Sequence, residues 1–257
     1  MEYLIVCTIA LLASGLTLFS GFGLGTLLLP AFILFFPPDV AVGMTAIVHF
    51  LNNIFKLVLL GKHADGKVVL RFGVPAIVSA LVGAALLVYV TDLPAVGQIE
   101  ILGWTFFVMP VKLLIALLMI VFAVVEIVPV FEQMQIDPRY LPLGGVLSGF
   151  FGGISGHQGA LRSAFLVRAG LSKESFIATG VVIACMIDVT RLSVYAEHIS
   201  SAGLGENAAL LIAATLSAFT GAFVGNRLVK KVTMAGIQRT VSVLLILIAV
   251  ALALGVV

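Results

Sequence analysis

The stretch Ser20–Ala46, SGFGLGTLLLPAFILFFPPDVAVGMTA, is the part of the sequence that decides the predicted fold. It opens on the glycine-rich break SGFGLG, which interrupts a long hydrophobic run, and a second break, GGISGHQG at Gly152–Gly159, interrupts a later run in the same way. Glycine clusters free backbone N–H and C=O groups from a helix, and in a bilayer such groups survive only where they are buried in protein or line a watery cavity. The two breaks therefore indicate a binding site within a membrane protein.

The composition of the whole chain is that of an integral membrane protein. Of its 257 residues, 61% are apolar and 10% are charged, whereas a soluble domain has about 45–50% and about 25%. Apolar stretches of about 20 residues, long enough to cross a bilayer, recur from end to end. We expect an all-α fold in which about eight segments form a single membrane transport domain over residues 1–257. The segments span residues 3–36, 39–61, 72–91, 110–128, 142–168, 172–197, 207–226 and 237–256.

The two broken segments resemble each other. The run PAFILFFPPDVAVGMTA after the first break parallels SAFLVRAGLSKESFIATGV after the second, and rare polar residues further on also agree. Chance agreement of apolar composition is the alternative, but the polar matches favour a duplicated four-segment unit, with repeats over about 1–128 and about 142–257. The matched residues are Ala31 and Phe32 with Ala164 and Phe165, Asn53 with Asp188, Lys56 with Arg191, and His63 with His198.

Charged residues predict how the two halves are oriented. If both broken segments dip into the membrane and return on one side, the basic residues collect on one face, which would be cytoplasmic, and acidic residues lie on the other. If all eight segments cross fully, the charged loops are split between the faces. We therefore predict re-entrant first and fifth segments and inverted repeats, an arrangement common in secondary transporters. The basic residues are Lys62, Lys67, Arg71, Arg139, Arg168, Lys173, Arg227, Lys230, Lys231 and Arg239, and the acidic ones Asp92, Glu100, Glu197 and Glu206.

The stretches Ser20–Ala46 and Ser148–Gly180 together resemble the paired glycine-rich motifs of the sulfite exporter TauE/SafE family of membrane permeases. The resemblance covers both halves, and the length and the number of segments agree with it. It implies a permease for small anions, notably sulfite and organosulfonates. The sequence departs from the family pattern in the second copy, where Ser163 replaces the proline that corresponds to Pro30 and where added polar residues leave the substrate open. These added residues are His157, Gln158 and Arg162.

Arg162 is the most informative single residue, because it follows the second glycine break at a depth where a re-entrant segment would turn. An arginine at the centre of a membrane helix costs about 2.5–3.5 kcal/mol, so it needs a partner or a ligand. A bound oxyanion fits the guanidinium fork, and an ion pair with Asp188 is the alternative. The sequence leaves both open.

Other polar groups near the breaks are candidates for binding the substrate. Side-chain donors at the second break are Ser155, His157, Gln158 and Ser163. Backbone N–H groups attract anions where helices begin. For the hydroxyl and amide groups the alternative is a bond within their own helix, and for the glycines it is close helix packing. The candidate glycines are Gly21, Gly23, Gly25, Gly153, Gly156 and Gly159.

Two polar pairs form the candidate coupling residues. Asp188 and Arg191 are three residues apart and share a helix face, as do Asn53 and Lys56 in the other repeat. We expect Lys56 and Arg191 to extend towards the membrane interface, and Asp188 to neutralise an arginine rather than to carry a proton. His49 and His157 could titrate near neutral pH and couple a proton to transport, although a hydrogen-bonded core histidine is the simpler interpretation of His49.

Two competing functions share some of these features. A passive anion channel would use the same donors, although broken inverted repeats favour a carrier. The sequence GISG at Gly153–Gly156, followed by His157, also resembles the setting of an intramembrane serine protease, but the last two segments contain no histidine to act as a base. We therefore predict a transporter and not an enzyme. No GxxxxGK[ST] motif is present for ATP binding.

The remaining features concern partners and location. We expect a small anionic substrate and the lipid bilayer as partners, with no nucleic acid, no cofactor and no metal, and the sequence leaves association into homo-oligomers open. Cys7 and Cys185 lie within apolar segments and are expected to be inert. The start Met1–Gly15 carries Glu2 where a signal peptide is basic, so we expect it to remain part of a multi-pass protein of a bacterial or archaeal cell membrane.

Overall fold

The computed structural model describes residues 1–20, 23–101, 103–128, 136–201, 207–228 and 234–256. Most of this part of the chain is helical. Its α-helices are α1 Glu2–Ser20, α2 Leu24–Ile33, α3 Pro38–Leu60, α4 Gly66–Thr91, α5 Pro110–Ile127, α6 Leu141–Ser155, α7 Gly159–Leu166, α8 Lys173–Ser201, α9 Ala208–Leu228 and α10 Met234–Ala253. Single 3-10 turns at Gly61–His63 and Pro138–Tyr140 precede α4 and α6.

The helices are those of a multi-pass membrane protein. Within the described residues, three helical stretches are long and apolar enough to cross a bilayer, namely Pro38–Val58, Gly66–Thr91 and Lys173–Glu197. Shorter apolar helices surround them at Glu2–Leu16, Leu24–Ile33, Pro110–Val125, Ala208–Val224 and Ser242–Ala253. Large apolar side chains such as Val78 (61% exposed) and Leu216 (58% exposed) point outward, which suits a surface that faces lipid rather than water.

Helix α4 begins six residues before the predicted start of the third segment at residue 72. Its N-cap is Asp65, whose carboxylate accepts hydrogen bonds from the backbone N–H groups of Lys67 and Val68, so the first turn is satisfied without further polar partners. Lys67 and Arg71 are exposed on this extension. Charged residues predict the boundary of a membrane segment, but here the helix continues past them, because long basic side chains can reach water from the end of a membrane helix.

Glycines bring α4 and α6 into close parallel contact. A Cβ added at Gly145, Gly149 or Gly153 would collide with the backbone of α4 at Phe72, Ala76 or Ala80 respectively, in steps of one helical turn. Helices α1 and α9 are also in close contact, because a Cβ at Gly221 of α9 would collide with the carbonyl oxygen of Leu11 in α1. Missing side chains thus let both pairs of helices approach backbone to backbone.

The second broken segment folds back on itself. Phe165 lies near the end of α7, and its ring occupies the place that a Cβ on Gly144, near the start of α6, would take. The same ring meets the ring of Phe72 edge-on at a centroid distance of 6.5 Å. The chain between α6 and α7 turns at Gly156, which has a φ of 81° and forms the C-cap of α6. Helices α6 and α7 therefore form a helical hairpin whose two ends lie on the same side.

A two-stranded antiparallel sheet, β1 Gly97–Ile101 and β2 Trp104–Val108, connects α4 to α5. This sheet was not predicted from the sequence, for which we expected an all-α fold. Its register pairs Ile99 with Phe106 and Glu100 with Thr105. Alternate residues therefore give the hairpin one apolar face and a second face on which Gln98, Glu100 and Thr105 lie beside Phe107. This alternation and the left-handed Gly103, with a φ of 82°, are hairpin signals that hydropathy over long apolar segments does not reveal.

Candidate functional site

The candidate site lies where α3 and α8 cross. The backbone N–H of Asp65, just beyond α3, donates to Thr179 Oγ1 near the start of α8 at 2.9 Å, and His49, earlier in α3, meets Asp188, later in α8. The two helices therefore run antiparallel. His49 and Asn53 are one turn apart on α3, and Asp188 faces both of them, so the crossing assembles residues that are far apart in the sequence.

Asp188 is completely buried, and both of its carboxylate oxygens are occupied. Oδ2 lies 2.6 Å from His49 Nδ1 and accepts from Asn53 Nδ2 at 3.2 Å. Oδ1 accepts from Arg191 Nε at 3.0 Å and from Gln158 Nε2 at 3.3 Å, and Arg191 Nη2 lies 2.8 Å from it. A carboxylate enters an apolar interior at a tolerable cost only with such partners.

Arg191 is completely buried, and Lys56 is 6% exposed. The prediction that both side chains extend towards the membrane interface is therefore wrong. Arg191 instead turns inward to Asp188, one helical turn away on its own helix. It also reaches the second glycine break, where a Cβ on Gly156 would lie 2.7 Å from Nη1. The polar environment that makes this burial tolerable comes from the chain folding back at the break.

Arg162 of α7 is half-buried and donates from Nη1 to Gln158 Oε1 at 3.1 Å. The amide of Gln158 thus stands between Arg162 and Asp188, because it accepts from the first and donates to the second. The ion pair of Asp188 is formed with Arg191 rather than with Arg162. A Cβ on Gly180 would lie 3.4 Å from Arg162 Nε, so a glycine of α8 makes room for this guanidinium.

Basic groups outnumber acidic groups in this site. Lys56 and Arg191 are buried, and Arg162, close enough to Lys56 to interact with it electrostatically, is half-buried. Among the residues whose burial the structure describes, Asp188 is the one buried carboxylate. The local balance is therefore positive, in a setting where uncompensated charge is costly.

The two glycine breaks meet at this site. A Cβ on Gly25 would lie 3.4 Å from the carbonyl oxygen of Gly156, and a Cβ on Gly23 would lie 3.9 Å from the backbone N of Gly159. Four of the predicted glycines therefore come together, from two segments more than a hundred residues apart. Gly153 instead packs against α4, which agrees with the alternative interpretation of close helix packing. Gly21 lies outside the residues that the structure describes.

His157 sits at the turn between α6 and α7. Its Nδ1 and the hydroxyl of Ser155 are joined by a hydrogen bond of 2.9 Å, and its ring stacks on Phe122 at a centroid distance of 5.0 Å. Its Nε2 is buried and has no hydrogen-bond partner in the described structure. Ser155 also donates to the carbonyl oxygen of Phe151 in its own helix at 3.3 Å. Ser163 is half-buried on α7, and its role remains a prediction.

Three further residues at the site are not among the candidates predicted from the sequence. Thr45 faces Gly25, with its Cγ2 3.7 Å from the position of a Cβ there, and its buried hydroxyl has no hydrogen-bond partner in the part of the chain that the structure describes. Ser148 donates to the carbonyl oxygen of Gln158 at 3.1 Å, and Tyr195 donates to that of Gly153. Thr45 and Ser148 belong to the quoted motifs, but hydroxyl groups are common in membrane helices and gave no separate signal.

The family model described as Sulfite exporter TauE/SafE matches residues 6–252, which includes every site residue described above. No curated protein matches the chain.

Proposed function

Because the chain belongs to the sulfite exporter TauE/SafE family, we propose that it is a secondary transporter that carries a small sulfur oxyanion across the cell membrane. The proposed substrates are sulfite, an organosulfonate or a related sulfur oxyanion or carboxylate, moved by alternating access and coupled to a proton gradient. Membership of this family of membrane permeases supports transport as the general function of the chain. The substrate, the coupling and the mechanism are the steps that we add.

The excess of buried positive charge carries this proposal. Lys56, Arg162 and Arg191 converge on a region whose buried carboxylate is Asp188. A charge in an apolar interior is costly unless it is paired, and breaking one buried pair costs about 3–5 kcal/mol. A bound oxyanion would offset the excess, and its oxygens suit the paired N–H groups of a guanidinium.

The packing of the helices supports alternating access. If the repeats correspond, α1 and α2 match α6 and α7, α3 matches α8, α4 matches α9, and α5 matches α10. Helix α4 packs against α6, and their counterparts in the other repeat, α9 and α1, also pack against each other. The equivalent helices α3 and α8 are in contact, as are α5 and α10. The contacts thus persist when the halves are exchanged, as expected for two inverted repeats that rock about a central site.

Arg162→Ala tests the proposed anion site. Purified protein in proteoliposomes should take up radiolabelled sulfite, and Arg162→Ala should abolish this uptake while the protein remains folded and inserted, because the substrate loses its guanidinium partner. Arg168→Ala, which removes an exposed arginine beyond the end of α7, is the matched control and should leave uptake unchanged. Full uptake by Arg162→Ala would contradict the assignment of Arg162.

Kinetics separate the carrier from the channel and from the protease. A carrier gives saturable uptake that is accelerated by unlabelled anion on the opposite side and responds to a proton gradient, whereas a channel shows neither saturation nor exchange at comparable concentrations. The contact between Ser155 and His157 makes the protease testable as well. Labelling by a serine-directed probe that disappears in Ser155→Ala would favour it over transport.

A further inference from the structure

The surroundings of Asp188 have the form of an anion-binding site that is already filled. Its carboxylate receives donors from three parts of the chain, namely His49 and Asn53 of α3, Gln158 at the second break, and Arg191 of α8. All of these side chains are at most 4% exposed. Charged and amide donors that converge on two oxygens are what an oxyanion substrate needs. Here those oxygens belong to the protein.

We propose that the carboxylate of Asp188 occupies the anion-binding donors in the empty state, in place of the substrate. Asp188 releases these donors to the substrate only when a proton neutralises the carboxylate. This inference rests on the proposed transport of an oxyanion at this site, and it adds the residue that links the anion to the proton. The proton binds to the carboxylate of Asp188 when the anion enters and leaves when the anion is released, so one proton accompanies each anion.

Unused donors at the same place support an exchange of Asp188 for a larger oxyanion. Arg191 Nη1 and Thr45 Oγ1 are buried donors that have no hydrogen-bond partner among the described residues. A carboxylate offers two oxygens, whereas a sulfite or sulfonate group offers three. Buried polar atoms without partners are costly, and a third oxygen is the kind of group that would satisfy them. Arg191 Nη1 also faces Gly156, where no side chain stands in the way.

Electrostatics explains why protonation must accompany the exchange. Two anions that share the same donors a few ångströms apart repel each other strongly where water is excluded. The groups that face Asp188 directly are His49, Asn53, Gln158 and Arg191. Three further groups are near enough to interact electrostatically with the carboxylate of Asp188, namely Arg162 of α7 and Cys185 and Tyr195 of α8. No second carboxylate is among these described neighbours, so Asp188 is the group whose negative charge the substrate must displace.

The first experiment compares sulfite binding to wild type and to Asp188→Asn by calorimetry in detergent, from acidic to alkaline pH. The ionisation of sulfite is common to both proteins, so the ratio of their affinities reports on Asp188 alone. We expect Asp188→Asn to bind sulfite about tenfold or more tightly than wild type at alkaline pH, because no carboxylate competes, and the two affinities to converge at acidic pH. Equal or weaker binding by a folded Asp188→Asn at alkaline pH would overturn the proposal.

The second experiment uses the wild-type protein alone, so it tests the role of Asp188 even if Asp188→Asn fails to fold. At alkaline pH, where sulfite is fully deprotonated, its binding to wild type should take up about one proton, measured as the dependence of the binding heat on the ionisation enthalpy of the buffer. Binding without proton uptake would overturn the role of Asp188 and leave the proposed transport intact. Failure of sulfite, a small organosulfonate and a small carboxylate alike to bind to wild type at any pH would instead contradict both.

Discussion

At the scale of single residues, buried charge is the feature that most distinguishes this protein. Arg191 and Lys56 lie inside the protein although a long basic side chain in the last third of a membrane helix usually reaches the interface. Arg191 remains inside because Asp188 is one turn away and because the chain turns at Gly156 beside it. The cost of burying the guanidinium is thus offset by an ion pair within its own helix and by a helix break from another segment, and the contact with that break is not apparent from the position of Arg191 in its segment.

Thr45→Val tests whether an unpartnered hydroxyl serves the substrate. The change keeps the shape of the side chain, and because Thr45 Oγ1 has no hydrogen-bond partner in the described structure, we expect no loss of thermal stability. If the hydroxyl binds the anion, the KM for sulfite uptake should rise about tenfold, the usual cost of losing one hydrogen bond to a charged group. Melting curves and uptake kinetics measure the two effects separately.

Thr190→Val is the matched control for this change. The hydroxyl of Thr190 donates to the carbonyl oxygen of Met186 in its own helix at 2.8 Å, so its removal should leave the KM unchanged. An unchanged KM in Thr45→Val as well would show that this hydroxyl takes no part in binding the anion.

At the scale of helices, glycine has two different roles. In α6 it forms a seam of backbone contacts with α4 at Gly145, Gly149 and Gly153. At Gly156 it allows the left-handed turn that ends the helix and faces Arg191. The sequence alone grouped Gly153 and Gly156 as members of one binding motif. Only their neighbours, the backbone of Ala80 for the first and a guanidinium for the second, assign one to packing and the other to the site.

Gly149→Val should prevent α6 from docking on α4. The new Cβ would collide with the carbonyl oxygen of Ala76 and with the hydroxyl of Ser79, and backbone atoms cannot move aside as a flexible side chain can. We expect a large loss of monodisperse protein in size-exclusion chromatography after detergent extraction. Gly66→Ala, at a position with no atom within 4 Å of a new Cβ, is the control and should be recovered like wild type. Normal yields of Gly149→Val would contradict the close contact of α6 with α4 along this seam.

The β-hairpin is the other element with a testable role. It follows α4, which is long enough to cross the bilayer, and its apolar face ends in Trp104, which is 72% exposed. Tryptophan favours the zone between lipid headgroups and hydrocarbon. The C-terminal end of α10 also reaches this hairpin, since a Cβ on Gly255 would collide with the carbonyl oxygen of Phe107. We expect the hairpin to lie in the membrane interface.

Fluorescence of Trp104 measures this directly, because it is the only tryptophan in the chain. In liposomes its emission should be shifted to the blue and quenched by lipids brominated near the headgroup, with less quenching by lipids brominated deep in the acyl chain. Trp104→Phe provides the background. Efficient quenching by aqueous acrylamide without quenching by brominated lipid would place the hairpin in water instead.

At the scale of the whole molecule, the helical hairpin of α6 and α7 and the first broken segment converge on one site. The hairpin of α6 and α7 begins and ends on the side of Gly144 and Phe165, and its turn meets Gly25 of the first broken segment. Helix α4 starts on that same side, because it runs parallel to α6, and its 26 residues span about 39 Å. The β-hairpin that follows α4 therefore lies at the opposite end of the molecule.

Cysteine labelling in intact cells tests this sidedness. In a background of Cys7→Ala and Cys185→Ala, Gly97→Cys in the β-hairpin should react with a membrane-impermeant maleimide from outside. Gly66→Cys should react only after permeabilisation, because it lies beside the basic residues that are expected in the cytoplasm. Both glycines are exposed, and neither has an atom within 4 Å of a new Cβ, so they form a matched pair. Labelling of both from outside would contradict the predicted orientation.

The general fold was accessible from the sequence to a considerable extent. The breaks at Gly23 and at Gly156–Gln158, the helices on either side of them and the membrane setting all follow from hydropathy and glycine content, which are local properties. The β-hairpin was missed because its strands are five residues each, too short for a prediction based on membrane-spanning lengths. The inverted repeats remain a prediction that the helix contacts support.

The candidate site shows where the sequence stops being sufficient. By itself, the sequence determined that this is a multi-pass helical membrane protein with two glycine breaks and rare polar residues near them, because composition and periodicity depend on neighbours along the chain. Only the tertiary structure decided that Asp188 pairs with His49, that Gln158 stands between Asp188 and Arg162, and that Thr45 joins the site. The physical reason is that a buried charge takes whichever partner the crossing helices bring within reach, and that crossing joins residues 139 positions apart.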